Sequence, residues 1–432
     1  MPYWDTRGAD AANIRLYQPG RGWRAWSDEP APDEDGGQPR QGSAGEIGSA
    51  LLNVLNSTNV VILTGTGSSF AAVNASARPA PAGMSQVWSA VRDAVGADDF
   101  DAVVTKFGTA RVGQNIEKLL TLSKLFLELH EGEPLAASDN GAGGAPDVLA
   151  MNTFVRTAEA AILERVDFVD GHTALDAHGA LIRKIGRRGV RKPRAKLFTT
   201  NYDLCFEEAA RRSRFTLIDG FSHNLDQTYD RTNFALDVVR RDGGRDAPDF
   251  VPNVLQFYKL HGSIDWRRVD GDILRTRVHV GDPVLIYPRS SKFQESFDVP
   301  YLDMISAFQA AIREPDTALL ITGFGFSDDH ISSPIMSAVE SNTSLRVAVC
   351  DPAFLSDELL CDADHDITGG AFPQNRFLAK LLRLADAGDA RIQLMNGRFQ
   401  DLAIALPDLI GETDRERHVA RMRNLREPGT GQ

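Results

Sequence analysis

Apolar positions recur along this chain in two periods. Ile47, Leu51, Val54 and Leu55 fall at helical spacing, and Val60-Val61-Ile62-Leu63 is a continuous aliphatic run, as a strand buried on both faces requires. The same reading predicts further strands at 195–200, 215–218, 254–260, 284–287, 318–322, 345–349 and 391–395. Between them it predicts helices around 84–95, 112–129, up to about 166, 204–212, 301–313, after Asp328, 376–387 and 399–409. Asp270-Gly271 marks a hairpin turn between two short strands. Strands alternating with helices imply an α/β fold: a Rossmann-like, doubly wound, mostly parallel sheet with helical insertions.

Composition bounds this picture. Residues 1–44 are polar and rich in Gly, Pro and acids, and are expected to form a flexible N-terminal arm. The expected units after it are a catalytic domain over 45–355, with a helical insertion at about 84–195, and a C-terminal α/β extension over 356–432. The formal net charge of −12 argues against a general nucleic-acid binder. One cationic run qualifies that: Arg183, Lys184, Arg187, Arg188, Arg191, Lys192, Arg194 and Lys196 have no acid among them. It reads either as a solvated helix end or as a local basic patch for a phosphate backbone or an acidic partner. The three cysteines, Cys205, Cys350 and Cys361, form no close pair, so neither a zinc ribbon nor a disulfide framework is expected. No leader pattern and no apolar run of about 18 residues is present, and a cytoplasmic protein is expected.

Ligands of open parallel sheets sit beyond the carboxyl ends of the strands, and four such ends carry unusual residues. Gly65-Thr66-Gly67-Ser68 lets the backbone turn tightly and approach an anion, although the third glycine of a dehydrogenase fingerprint is replaced by Phe70. Thr200-Asn201-Tyr202-Asp203 delivers an amide and a carboxylate, which read alternatively as a helix cap and a turn residue. His261-Gly262 places an imidazole, titrating near neutrality, beside a glycine that leaves room for a ligand. Gly323-Phe324-Gly325-Phe326-Ser327 closes the set.

These four motifs, in this order and spacing, resemble the sirtuin family, and more narrowly its bacterial defence-associated branch of NAD-consuming domains. The resemblance covers roughly residues 45–355. It implies that Gly65, Thr66, Gly67 and Ser68 hold the NAD pyrophosphate, with Thr200 among the dinucleotide-binding residues. It further implies that Asn201 and Asp203 line the nicotinamide-ribose pocket and that His261 is the catalytic base. Gly323, Phe324 and Ser327 would shape the adenosine side, and Asp351 the adenine ribose.

Two departures bear on the activity. Sirtuin deacylases carry four zinc-binding cysteines in two close pairs and a Pro-Asp-Phe-Arg stretch, and this chain has neither. No zinc is expected, and the reading shifts from an acylated-lysine substrate to hydrolysis of NAD into nicotinamide and ADP-ribose, in antiphage defence by NAD depletion. A protein deacylase, an ADP-ribosyltransferase and a non-catalytic nucleotide-binding scaffold are the alternatives. About 80 residues follow Asp351, too few for a large sensor. Regulation by homo-oligomerisation or by a separate subunit is therefore expected, and the chain resembles the sirtuin subunit that partners a HerA-family translocase. The arm and the Arg-rich tail at Arg415–Arg426 are candidate contact elements, and the loop from Gly67 to Gly83 is a candidate lid. His261 is expected to be neutral at pH 7.

Overall fold

The computed structural model describes residues 3–28, 42–74, 79–130, 148–189, 192–241, 249–278, 280–285, 299–360, 366–368 and 373–409. The polar tract at 29–41, the Arg-rich tail and Cys361 lie outside them. So do 75–78 of the candidate lid.

In chain order the first elements are β1 (Arg15–Gln18), β2 (Gly22–Arg24), α1 (Ser43–Asn56), β3 (Asn59–Thr64) and the single turn α2 (Thr66–Ser69). Five helices of an insertion follow: α3 (Met84–Val95), α4 (Ala97–Phe107), α5 (Thr109–Val112), α6 (Ile116–Leu129) and α7 (Val148–Val166). Then come α8 (Asp176–Gly186), β4 (Lys196–Thr199), α9 (Cys205–Arg212), β5 (Thr216–Ile218), β6 (Val239–Arg240), β7 (Asp249–Phe250) and β8 (Val254–Lys259). A side sheet of β9 (Gly262–Val269), β10 (Asp272–Arg275) and β11 (Asp282–Leu285) is antiparallel, and Asp270-Gly271 makes its hairpin turn. The chain continues with α10 (Tyr301–Ala311), β12 (Thr317–Thr322), α11 (Asp329–Ser341), β13 (Arg346–Cys350) and α12 (Asp357–Leu360). It closes with α13 (Arg376–Asp386), β14 (Ile392–Asn396) and α14 (Phe399–Ala405).

The main sheet runs β2-β1-β14-β13-β12-β3-β4-β8-β5, parallel from β14 to β5. This is the Rossmann-like α/β fold that the alternation of elements predicts. The uninterrupted apolar runs follow from burial on both faces. Val61, Leu63, Phe198, Leu319 and Ile321 point into one core, and Val60, Ile62, Leu197, Ala318 and Leu320 into the other. Phe198 anchors its side by stacking on Tyr258 with ring centroids 4.4 Å apart and meeting Phe308 edge-on at 5.1 Å. Helices α3 to α7 carry a third core of their own, centred on Phe100, Leu119, Leu120, Met151 and Phe154.

Three expectations need correction. Residues 3–28 are not a flexible arm. Residues 15–18 pair antiparallel with β14 (Arg15↔Asn396, Leu16↔Met395), and residues 22–24 pair with them in turn. The polar average conceals a few apolar anchors, Tyr3, Ile14, Leu16 and Trp23, all buried. β14 accordingly belongs to the same sheet as β3, so the sheet runs through the expected boundary at 355. The cationic run is largely used within the chain. Lys184 Nζ donates to the carbonyls of Ala403 and Ile404 at 2.9 and 2.8 Å, and Lys192 Nζ to that of Asn56 at 3.1 Å. Arg188 donates to the carbonyls of Ser57 and Thr58. These cations meet carbonyls at the ends of α14 and α1, which lack intrahelical partners and carry the negative end of the helix dipole. Arg187, Arg194 and Lys196 pair with Asp408, Asp237 and Glu314.

Among the described residues no helix is long and apolar enough to cross a membrane. No His/Cys/Asp/Glu group among them is arranged to hold a metal ion. Burial pushes the Cys205 and Cys350 thiols well above their ordinary range, as for inert core residues.

Candidate active site

Strand register brings the candidate motifs together. Thr64 aligns with Thr322 on one side and with Thr199 on the other, Thr322 with Cys350, and Thr199 with Lys259. The next residues therefore emerge along one edge of five adjacent strands: Asp351, Gly323, Gly65, Thr200 and Leu260. A cavity of about 430 Å³ opens there. Thr66, Gly67, Thr200, Asn201, Asp203, His261, Gly323, Phe324, Ser327 and Asp351 all line it. Gly65 and Ser68, also expected at the ligand, are not part of that lining.

The glycines owe their presence first to a close approach between two turns. A Cβ on Gly67 would stand 2.7 Å from the Cα of Gly323, and one on Gly323, at φ +68°, 2.6 Å from the Ser68 nitrogen. The Gly67 N–H donates to the Gly323 carbonyl at 2.9 Å, so the turns after β3 and β12 are welded together. Gly262 likewise leaves room for a strand rather than a ligand, because a Cβ there would lie 2.2 Å from the Val284 carbonyl oxygen.

Asn201 is buried with its amide fixed in place. Its Nδ2, with two hydrogens to share, lies 3.0 Å from the Gly65 carbonyl oxygen, 3.0 Å from Ser68 Oγ and 2.8 Å from Ser69 Oγ. Ser69 Oγ donates in turn to Asp203 Oδ2, and Asp203 Oδ1 accepts the Cys205 N–H at 3.0 Å. Asp203 thus also serves as the turn residue of the alternative reading. Asn201 Oδ1, by contrast, is buried without a hydrogen-bond partner. A ligand hydroxyl or amide donor is the partner such an oxygen lacks.

His261 Nε2 lies 3.0 Å from Asp328 Oδ2, and both side chains line the cavity. Burial pulls the imidazole pKa down from its ordinary 6.5, but Asp328, with help from Glu117, outweighs this and holds it raised. Asp328 is held below its ordinary 3.8: burial pushes it up, while His261 and the His330 N–H pull it down further. The imidazole is therefore more basic than an ordinary histidine and paired with a carboxylate. Asp351 accepts the Ala353 N–H at 2.8 Å, and burial raises its carboxyl to about 6.

Sequence reasoning missed three contributors. Asp328 directly follows the Gly323–Ser327 motif, where an acid before a helix reads only as a cap, which it also is. Lys259 closes the largely apolar strand β8. Its buried ammonium donates to the carbonyls of Tyr202 and Asp203 and pairs with Glu207 Oε1 at 2.8 Å, fixing the loop that bears Asn201. Glu117 comes from α6, far away in sequence, and accepts the Tyr202 hydroxyl at 2.9 Å.

Fold and site together define a doubly wound α/β protein with a ligand cavity at the carboxyl edge of its sheet. Residues 195–359 match the family model described as the SIR2-like domain, and this match supports a sirtuin-like family. SIR2-like domains use NAD, so the domain suggests an NAD-related activity. The matched segment contains Asn201, Asp203, His261, Gly323 and Asp351, whereas the Gly65–Ser69 turn and Glu117 precede it. No curated protein matches the chain.

Proposed function

We propose that the protein is an NAD glycohydrolase, cleaving the bond from nicotinamide to ribose to give nicotinamide and ADP-ribose. The observation that carries this reading is the meeting, around one cavity, of Asn201 with an unpartnered Oδ1 and of His261 paired with Asp328. NAD fits the donor set, since its ribose hydroxyls and carboxamide supply donors for that oxygen.

Breaking the N-glycosidic bond builds positive charge on the ribose as the bonding pair leaves with nicotinamide, which departs neutral and needs no proton. Water supplies the new C–O bond, and its proton passes to the His261 ring nitrogen that Asp328 does not engage, Asp328 accepting from Nε2; the proton is then released to solvent. Asp328 orients the imidazole and stabilises its protonated form. Asn201, its amide nitrogen held among the Gly65 carbonyl and the Ser68 and Ser69 hydroxyls, orients the ribose hydroxyls, and the Asp203 carboxylate offsets the developing charge. Hydrolysis rather than transfer to a peptide is supported by the rest of the cavity wall. Met84, Val87, Ile116, Ile162 and Val166 of the helical insertion line it with apolar side chains, which offer no hydrogen bonds to a peptide backbone.

The test is nicotinamide release from NAD by the full-length protein, alone and with a HerA-family translocase subunit and DNA. Asn201→Ala is expected to lose at least about 100-fold in rate. Undiminished NAD loss in that variant refutes the assignment. The resemblance to defence-associated relatives supports a role in antiphage defence by NAD depletion, as a homo-oligomer or with that translocase. Phage challenge of cells carrying the wild type or Asn201→Ala checks it, because equal survival excludes a catalytic role in defence.

A further inference from the structure

Helices α3 to α7 interrupt the sheet between β3 and β4 and hold their own apolar core, so they need a specific reason to lie against the site. Part of the reason is one polar contact. Asn115 caps α6 by accepting the Lys118 N–H at 2.9 Å, and Ile116, Leu119 and Leu120 turn inward to the helical core. Glu117 instead faces the cavity, where its Oε1 accepts the hydroxyl of Tyr202 at 2.9 Å. Tyr202 stands between Asn201 and Asp203, with its ring centroid 6.3 Å from that of His261.

We propose that Glu117 is a positioning residue for the cleavage site: by holding Tyr202 and facing His261 it ties the helical insertion to the Asn201–Asp203 loop, so the insertion completes the site. For the reaction itself this rests on the glycohydrolase reading, although two of its three readouts do not. Of the groups around His261, Asp328 enters from the loop before α11, Glu117 from α6 and the Tyr202 phenol from the loop after β4. Behind Asp328 stand His330 and Tyr301. Burial, with a smaller push from the Asp328 charge, holds the Glu117 carboxyl raised against the charge of His261 and the Tyr202 hydroxyl, which lower it, as expected for groups sharing one shielded space.

The contact separates into a hydrogen bond and a charge, and two variants separate them experimentally. Glu117→Gln keeps an acceptor for the Tyr202 hydroxyl and removes the charge, whereas Glu117→Ala removes both. Three measurements on the full-length protein decide the matter: the titration midpoint of His261 by NMR of histidine-labelled protein, amide hydrogen exchange over 199–204, and nicotinamide release. His261→Asn assigns the NMR resonance.

The proposal expects the His261 midpoint to move to lower pH in both Glu117 variants. Exchange over 199–204 should rise in Glu117→Ala and return to the wild-type rate in Glu117→Gln, and kcat should fall in Glu117→Ala by about 10- to 100-fold, as displaced reacting groups produce. An unmoved midpoint in Glu117→Gln, or unchanged exchange in Glu117→Ala, overturns it. If the wild type releases no nicotinamide, the glycohydrolase reading fails, while midpoint and exchange still decide the role of Glu117.

Discussion

His261 is subject to two opposed influences, and their balance sets how the site responds to pH. Burial disfavours the imidazolium, whereas Asp328 at 3.0 Å favours it and prevails. A general base works in its unprotonated form, so kcat/KM should rise with pH through a midpoint above 6.5, the ordinary histidine value. Asp328→Asn keeps the cap on α11 and removes the charge, and should move that limb to lower pH. A pH–rate profile of the two proteins checks this. Stability follows the same linkage. A raised histidine pKa contributes stability that is fully present below about 6.5 and lost as pH rises through the folded value. The lowered Asp328 pKa contributes stability above about 3.8 that is lost as pH falls through its depressed folded value. Thermal melts across pH should show both limbs flattened in Asp328→Asn.

At the scale of elements, the site is a row of strand ends held in register by buried polar ties. Lys259 is the strongest of them, since its ammonium closes two carbonyls and a carboxylate in one buried place. Lys259→Met strands Glu207 without its cation and should cost about 3–5 kcal/mol in urea unfolding. The double variant Lys259→Met/Glu207→Leu should recover part of that loss. The weld between the two glycine turns makes a second prediction. Gly67→Ala drives a methyl into the Gly323 backbone and should abolish NAD binding by calorimetry while far-ultraviolet dichroism stays native. The motif Gly-x-Gly was legible in the sequence, but its structural cause was not, because the partner turn lies more than 250 residues away.

Across the whole molecule, the sheet joins the two ends of the described chain. Residues 15–24 cover the edge of β14 with two antiparallel strands, and Trp23 packs against Phe354 with centroids 5.1 Å apart. Removing residues 1–28 should therefore expose a parallel-sheet edge, lower the unfolding temperature and raise light scattering. Two strands of four and three residues carry too little periodicity to outweigh a polar average, so only their pairing partner discloses them. The apolar runs of β3, β4, β8, β12 and β13 were legible because burial on both faces demands continuous hydrophobicity. Asn201, Asp203 and His261 were legible because polar residues directly after such runs stand at a sheet edge. Chain order, local period and the chemistry of strand ends are local properties, and the sequence by itself determined them. Tertiary structure alone decided that Glu117 faces Tyr202, that Lys259 ties down the Asn201 loop, that Asp328 pairs with His261 and that Lys184, Arg188 and Lys192 of the cationic run meet carbonyls at helix ends. Each of these is a contact between groups remote in sequence, and its energy exists only once the sheet register has brought them together.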